Sequence, residues 1–169
     1  TDSVYKVMMQ ESDNFLAEQL LLMCSATISD SLSILPAMRL MQQSYLSDLP
    51  DKLAWADGSG LSRYNLFTPR SIVGVWKKIY QTVPRERLLP MLATGGVNGT
   101  VANWYKADQP YFFGKTGTLA NNHCLSGYLI THSGKTLIFS FMNSHYIGST
   151  SDIRRNMQSI LEYIRDNYK

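Results

Sequence analysis

The sequence contains few cysteines and little net charge. Its 169 residues include two cysteines, Cys24 and Cys124, and its 17% of charged residues leave a net charge of +3. Two cysteines this far apart exclude a disulfide-rich scaffold and a zinc ribbon. We expect each to be a small buried apolar side chain, with a mutual disulfide as the alternative. The scattered charge does not predict binding to nucleic acid.

Long apolar runs are also absent. No stretch approaches the roughly 18 apolar residues that would span a bilayer, while the apolar fraction of 44% is typical of a globular chain with a core. The sequence begins at Thr1 without a basic and then apolar leader. We therefore expect that any targeting peptide has been removed or lies upstream.

Motifs for metal ions and for nucleotides are missing. No cysteine or carboxylate lies at ligand spacing from the three histidines, so we expect surface histidines and no metal site. These histidines are His123, His132 and His145. A phosphate-binding loop needs a glycine five positions before Gly-Lys-Thr, but Gln109 and Leu129 hold the two relevant places. The sequence therefore contains no Walker loop.

Apolar periodicity and capping residues predict helices in the first half of the chain and at its end. One of them, from Phe15 to Cys24, is expected to be largely buried, because Leu16, Leu20 and Met23 form a stripe. Another begins at Thr68 as N-cap with Pro69 in the first turn. The remaining helices are predicted over Val4 to Gln10, about Ala37 to Tyr45, Arg85 to Leu92, and after Ser149 to Ser151.

The pattern changes to that of strands after Tyr111. Three strands are predicted, over Tyr111 to Thr118, Cys124 to Thr131 and Thr136 to Asn143, with a Ser133-Gly134 hairpin turn between the last two. The C-terminal helix carries an apolar stripe that would lie across one sheet face. This stripe consists of Ile153, Met157, Ile160, Leu161 and Ile164. We therefore predict an α+β fold with a three-stranded antiparallel sheet.

Two motifs point to chemistry. Lys115-Thr116-Gly117 matches the strand motif of serine acyl-transfer enzymes that act on D-alanyl peptides and β-lactams. There a lysine cation and a threonine hydroxyl receive a substrate carboxylate, and the glycine lets the acyl chain lie close to the strand. Ser12-Asp13-Asn14 alone would be interpreted as a helix cap. Ser-Asp-Asn and Lys-Thr-Gly occur together in β-lactamases and penicillin-binding proteins, in the order found here.

A third segment, Ala56 to Arg63, extends the likeness. Together with Gly99-Thr100-Val101 and Leu125 to Tyr128, these motifs resemble the class C low-molecular-mass penicillin-binding proteins, which are D-alanyl-D-alanine carboxypeptidases and endopeptidases. The resemblance covers most of the chain. It implies a penicillin-recognising fold, peptidoglycan stem peptides and β-lactams as ligands, no cofactor, and export to the periplasm or cell envelope.

The resemblance also implies roles for individual residues. Ser12 would relay a proton to the leaving D-alanine amine, and Asn14 would hold the substrate amide. Lys115 would bind the terminal carboxylate with the Thr116 and Thr118 hydroxyls, and the Thr118 backbone N–H would be one oxyanion donor. The alternatives are a surface lysine, threonines that favour strands, and a purely structural loop over residues 57–63.

One family motif has no match in its usual place. A Ser-x-x-Lys nucleophile motif should lie well upstream of Ser-x-Asn, but only Ser3 to Lys6 fits, and it is too close. We therefore expect residues 1–169 to be the C-terminal portion of the domain, inactive alone, whose last strand has an open edge for a second copy or the N-terminal half. The alternatives are a non-catalytic peptide-binding or partner-binding module and a β-lactamase, although no glutamate lies between Glu18 and Glu86.

Overall fold

The computed structural model describes residues 1–169 and has the predicted α+β architecture. Six helices and four strands follow one another along the chain. The helices are α1 (Asp2–Gln10), α2 (Asn14–Ala26), α3 (Leu35–Leu40), α4 (Pro69–Thr82), α5 (Arg85–Leu88) and α6 (Thr150–Asn167). The strands are β1 (Ala93–Thr94), β2 (Phe112–Leu119), β3 (Asn122–Ile130) and β4 (Thr136–Ser144).

The strands form one antiparallel sheet in the order β1-β2-β3-β4. The three long strands confirm the prediction, but the expected count of three is wrong, because β1 pairs with Phe113 and Gly114 of β2. A strand of two residues has no periodicity from which it could be predicted. Gly134, at φ +80°, forms the predicted turn between β3 and β4.

Each face of the sheet carries its own core. On one face, α6 contributes Met157 and Leu161 to a cluster with Phe112, Leu125 and Leu129. On the other face, α4 contributes Trp76, which packs edge-on against Tyr128 at 5.3 Å between ring centroids. Because side chains alternate along a strand, Lys115 of β2 points away from the α6 face.

The helix boundaries agree with the capping residues. The Thr68 hydroxyl accepts from the Ser71 backbone N–H at the start of α4, and Ser149 does the same for Asp152 at the start of α6. The predicted stripe of α6 holds except at Ile160, which is 45% exposed. The helix predicted to Tyr45 ends its regular part at Leu40 and continues as a π-helical turn over Met41–Tyr45.

Two burial predictions are wrong. Helix α2 is present, but Met23 of its predicted stripe is 65% exposed and Leu16 and Leu20 are half-buried, so the helix is not largely buried. Cys24 is exposed as well, and both cysteines are free thiols, with Cys124 half-buried. The sequence pattern predicts helix α2 correctly, but it does not show how far a neighbour covers each apolar side chain.

Strand β4 is the last strand of the sheet on one side, and no strand pairs with its outer edge. The edge predicted from the sequence is therefore present, while its pairing with a second copy or with an N-terminal half stays a prediction. None of the helices combines the length and apolar character needed to cross a bilayer.

Candidate active site

Two residues from the predicted motifs meet although 103 positions separate them. The Lys115 ammonium, on β2, donates a hydrogen bond of 2.5 Å to the Ser12 hydroxyl, which lies between α1 and α2. No carboxylate lies within ion-pair distance of this ammonium. The contact joins the helical part of the chain to the sheet, and sequence analysis had predicted both residues for one site.

The backbone around Ser12 has an unusual conformation. Ser12 lies in the left-handed region at φ +59°, which is uncommon for a residue other than glycine and marks functional sites in many proteins. Asp13 then caps α2 by accepting from the Leu16 N–H at 2.8 Å. Asn14, the first residue of α2, is exposed and lines a small cleft together with Ser12 and Lys115. The cap interpretation is thus correct for Asp13, while the ligand-binding roles predicted for Ser12 and Asn14 stay predictions.

The electrostatics of Lys115 follow from its surroundings. Burial lowers the pKa of this amine from 10.5 to about 8, because a desolvated ammonium without a carboxylate partner is less stable than a hydrated one. The ammonium also donates 2.6 Å to the Thr116 carbonyl. Two of its three N–H donors are therefore engaged, and the third is available to an anionic ligand.

The other motif residues on β2 differ in exposure. Thr116 is buried, and its hydroxyl shares a 2.7 Å hydrogen bond with the hydroxyl of Thr100. Gly117 is exposed and would tolerate a β-carbon without contact. Thr118 is exposed, and its hydroxyl lies 2.8 Å from Nδ1 of His123. The roles predicted for these residues in ligand binding stay predictions.

The loop over residues 57–63 is fixed by two carboxylates. Asp57 accepts from the backbone N–H groups of Gly60 and Ser62, both at 2.8 Å, which closes the loop on itself. Glu18 of α2 accepts from the N–H groups of Gly58 and Ser59 at 2.7 and 2.9 Å, which holds the loop against the helix. The structural interpretation therefore accounts for the loop's shape, and its position also makes it a wall of the cleft.

The cleft has a volume of about 210 Å³. Polar groups from α2, β2 and the loop converge on it, beside two methionines of α1. Its lining consists of Met8, Met9, Ser12, Asp13, Asn14, Ala17, Gly58, Ser59 and Lys115. Neither Ser3 nor Lys6 is among these residues, and both are exposed on α1. The Ser-x-x-Lys match at this position therefore does not contribute to the cleft.

Sequence analysis assigned no role in the site to three residues that surround it. Glu18, Thr100 and His123 each hold a cleft or motif residue in place, yet none belongs to a motif with a known chemical role. His123 is completely buried, so the expectation of a surface histidine is wrong for it, whereas His132 and His145 are exposed. The register of β2 and β3 pairs His123 with Thr118, and a β-hairpin alignment of the sequence could have indicated this contact.

We expect Glu18→Ala to loosen the loop over residues 57–63. Two backbone N–H groups would lose a charged acceptor, which should lower the free energy of unfolding by about 1–3 kcal/mol. Urea denaturation and hydrogen exchange at the Gly58 and Ser59 amides measure the effect. Glu11→Ala is the control, because Glu11 is exposed and makes no side-chain hydrogen bond. Equal stability of the two variants would contradict the role of Glu18.

The fold places the chain in a structural class. It superimposes on penicillin-binding protein 4 of Haemophilus influenzae, solved with a β-lactam, with a TM-score of 0.81, 23% identity, and coverage of 97% of this chain and 41% of that one. It also resembles a predatory endopeptidase of Bdellovibrio bacteriovorus, solved with an immunity protein, with a TM-score of 0.73, 19% identity, and coverage of 97% and 42%. The chain thus has the fold of part of a penicillin-binding protein.

The sequence comparisons identify the family. The model of the D-Ala-D-Ala carboxypeptidase 3 (S13) family matches residues 2–165, and the chain belongs to this family. A curated relative, the D-alanyl-D-alanine carboxypeptidase DacB of Haemophilus influenzae, is 28% identical over 153 residues. That match covers 85% of this chain and 32% of the relative. The chain therefore spans about a third of the length of this relative.

Proposed function

We propose that the chain is the substrate-binding and proton-relay portion of a serine-type D-alanyl-D-alanine carboxypeptidase or endopeptidase that acts on peptidoglycan stem peptides. The observation that carries this proposal is the 2.5 Å contact between the Ser12 hydroxyl and the Lys115 ammonium across the cleft. A hydroxyl next to an ammonium of lowered pKa can pass a proton, and the same ammonium can hold a carboxylate.

The substrate would lie along the open side of β2. Strand β1 pairs only with Phe113 and Gly114, so the backbone of β2 from Lys115 onward has no partner on that side. An extended peptide can add to such an edge through main-chain hydrogen bonds. The exposed Gly117 leaves room for it, while Lys115 and the Thr116 and Thr118 hydroxyls receive its carboxylate and Asn14 its amide.

The reaction would proceed in two steps. A serine hydroxyl attacks the carbonyl carbon of the penultimate D-alanine, the C–N bond to the last D-alanine breaks, and the amine leaves with a proton that Ser12 relays. Water then hydrolyses the ester. The Thr118 backbone N–H would stabilise the oxyanion in both steps.

The nucleophile is proposed to come from a Ser-x-x-Lys segment outside residues 1–169. The exposed apolar residues of α2 and the open edge of β4 are surfaces on which such a segment could pack. Residues 1–169 alone would then release no D-alanine. An enzyme of this substrate class works where peptidoglycan is, so we propose export to the periplasm or cell envelope.

Covalent labelling by a fluorescent penicillin tests the proposal. The full-length product of the gene should form a covalent adduct and release D-alanine from a D-alanyl-D-alanine peptide, while residues 1–169 alone should do neither. Sustained D-alanine release by the short chain would contradict the assignment of the nucleophile. A full-length protein that binds stem peptide without forming an adduct would be a non-catalytic module, and rapid turnover of the penicillin would indicate a β-lactamase.

A further inference from the structure

The Thr118 hydroxyl has a partner on the side away from the open edge of β2. Thr118 and His123 are directly opposite each other in the β2–β3 ladder, with the hydroxyl 2.8 Å from Nδ1. Thr118 is exposed, whereas His123 has no exposed surface. A buried ring therefore contacts a hydroxyl whose other side is open to solvent.

The second ring nitrogen of His123 has no partner. Its Nε2 atom is buried and makes no hydrogen bond. Burial, and to a smaller extent the positive charge of Arg154 on α6, lower the pKa of the imidazole to about 4. Arg154 also has a buried Nε without a partner, and its guanidinium stacks on Trp104 at 5.7 Å. The imidazole is therefore neutral at physiological pH and carries a single N–H.

The two neutral tautomers place that N–H differently. A proton on Nε2 would leave a buried N–H without an acceptor, in the field of a cation, which is unfavourable. A proton on Nδ1 would be donated to the Thr118 oxygen, and the Nε2 lone pair would then lie in the favourable field of Arg154. The surroundings therefore favour the Nδ1–H tautomer.

We propose that His123 is a positioning residue that donates its Nδ1–H to the Thr118 hydroxyl, so that this hydroxyl directs its own proton toward the substrate carboxylate. The inference rests on the proposed function for its substrate. A hydroxyl that accepts from an N–H on its protein side has its proton left for the ligand side. A donor of this kind favours a carboxylate over a neutral amide, because hydrogen bonds to a charged acceptor are stronger.

The tautomer of His123 can be measured on residues 1–169, and the measurement does not require peptidase activity. Long-range proton–nitrogen NMR of ¹⁵N-histidine-labelled protein at pH 7 should show His123 protonated at Nδ1 and unprotonated at Nε2. The chain has three histidines, and the signals that persist in the variants His132→Gln and His145→Gln identify those of His123. Both replaced residues are exposed, so these variants leave the core intact. A proton on Nε2 would overturn the inference.

The effect on specificity is measured in the full-length protein. We expect His123→Leu to lower kcat/KM for a D-alanyl-D-alanine peptide about tenfold, and to lower that for the same peptide as its C-terminal amide much less. His123→Asn should restore the preference, since its amide can donate from the same place in the side chain. Thr118→Val should show the same loss, with no further loss when His123→Leu is added.

The outcomes separate this inference from the proposed function. An equal loss on both peptides would assign His123 a purely structural role and overturn the inference, although the enzyme remained a peptidase. A full-length protein without peptidase activity would contradict the proposed function, while the tautomer still decides whether His123 donates to Thr118. If His123→Leu does not fold, His123→Asn and the tautomer measurement decide.

Discussion

Lys115→Ala is expected to slow acylation of the full-length protein by a fluorescent penicillin by about 10²–10³-fold. The substitution removes the ammonium that contacts Ser12 and, with it, the charge proposed to hold the carboxylate of the ligand. The rate of adduct formation at several penicillin concentrations measures the change. The fold should persist, because a buried cation without a carboxylate partner contributes little to stability.

Lys135→Ala is the matched control. Lys135 is the lysine of a second Gly-Lys-Thr tripeptide, which lies in the turn before β4. Its ammonium is exposed and donates to the carbonyl of Lys169. Its replacement should leave acylation unchanged. Comparable losses in the two variants would show that the site does not depend on Lys115.

The pH dependence of acylation gives a second readout for Lys115. Since its pKa is lowered to about 8, the protonated fraction falls as pH rises through that value, and capture of an anionic penicillin should weaken with it. Below about pH 7 the amine is protonated and this dependence should level off. Lys115→Arg keeps a positive charge over the whole range and should abolish the decline near pH 8.

Gly114→Ala is expected to lower the free energy of unfolding by about 4 kcal/mol or more. A β-carbon on Gly114 would lie 2.1 Å from the Ser126 carbonyl oxygen and 3.0 Å from the Gly127 Cα. These are backbone atoms of β3, so the strands would have to separate. Gly127 is the cross-strand partner and lies at φ +149°, and a β-carbon on it would lie 2.2 Å from the Phe113 carbonyl oxygen, so neither strand leaves room for a side chain at this pair.

Gly117→Ala, three residues further along the same strand, is the control for this effect. A β-carbon there meets no atom within 4 Å. Urea denaturation of the two variants of residues 1–169 should therefore show a large loss for the first and little change for the second. Similar denaturation midpoints for the two variants would mean that β2 and β3 pack less closely at Gly114 than the structure indicates.

The sequence predicted the elements whose residues repeat with a clear period or carry a cap. Strands β2, β3 and β4 and helices α4 and α6 are of this kind, and Thr68 and Ser149 cap the helices as expected. Strand β1 could not be predicted, because a pair of residues has no period. The exposure of Met23 on α2 could not be predicted either, since an apolar stripe shows which side chains could be covered but not whether a neighbour covers them.

The candidate site was predictable to the extent that its residues belong to motifs. Ser12 and Lys115 were predicted for one site because both belong to motifs of the same chemistry, and the structure brings them into contact. The residues that hold them and their neighbours in place were not predictable in this way. Glu18 acts through backbone N–H groups, which no pattern of side chains reveals. The His123–Thr118 contact follows from the register of two strands, and it becomes visible only when the hairpin is aligned.

Ser12 belongs to the helical layer of the fold, and Lys115 belongs to the sheet. The contact cannot form until chain segments distant in sequence have docked, so it should be among the later events of folding. A ligand that bridges the two groups would bind only the docked state and would raise the melting temperature by mass action. Conversely, a mutation remote from the cleft that favours separation of the layers would weaken ligand affinity without altering any residue that touches the ligand.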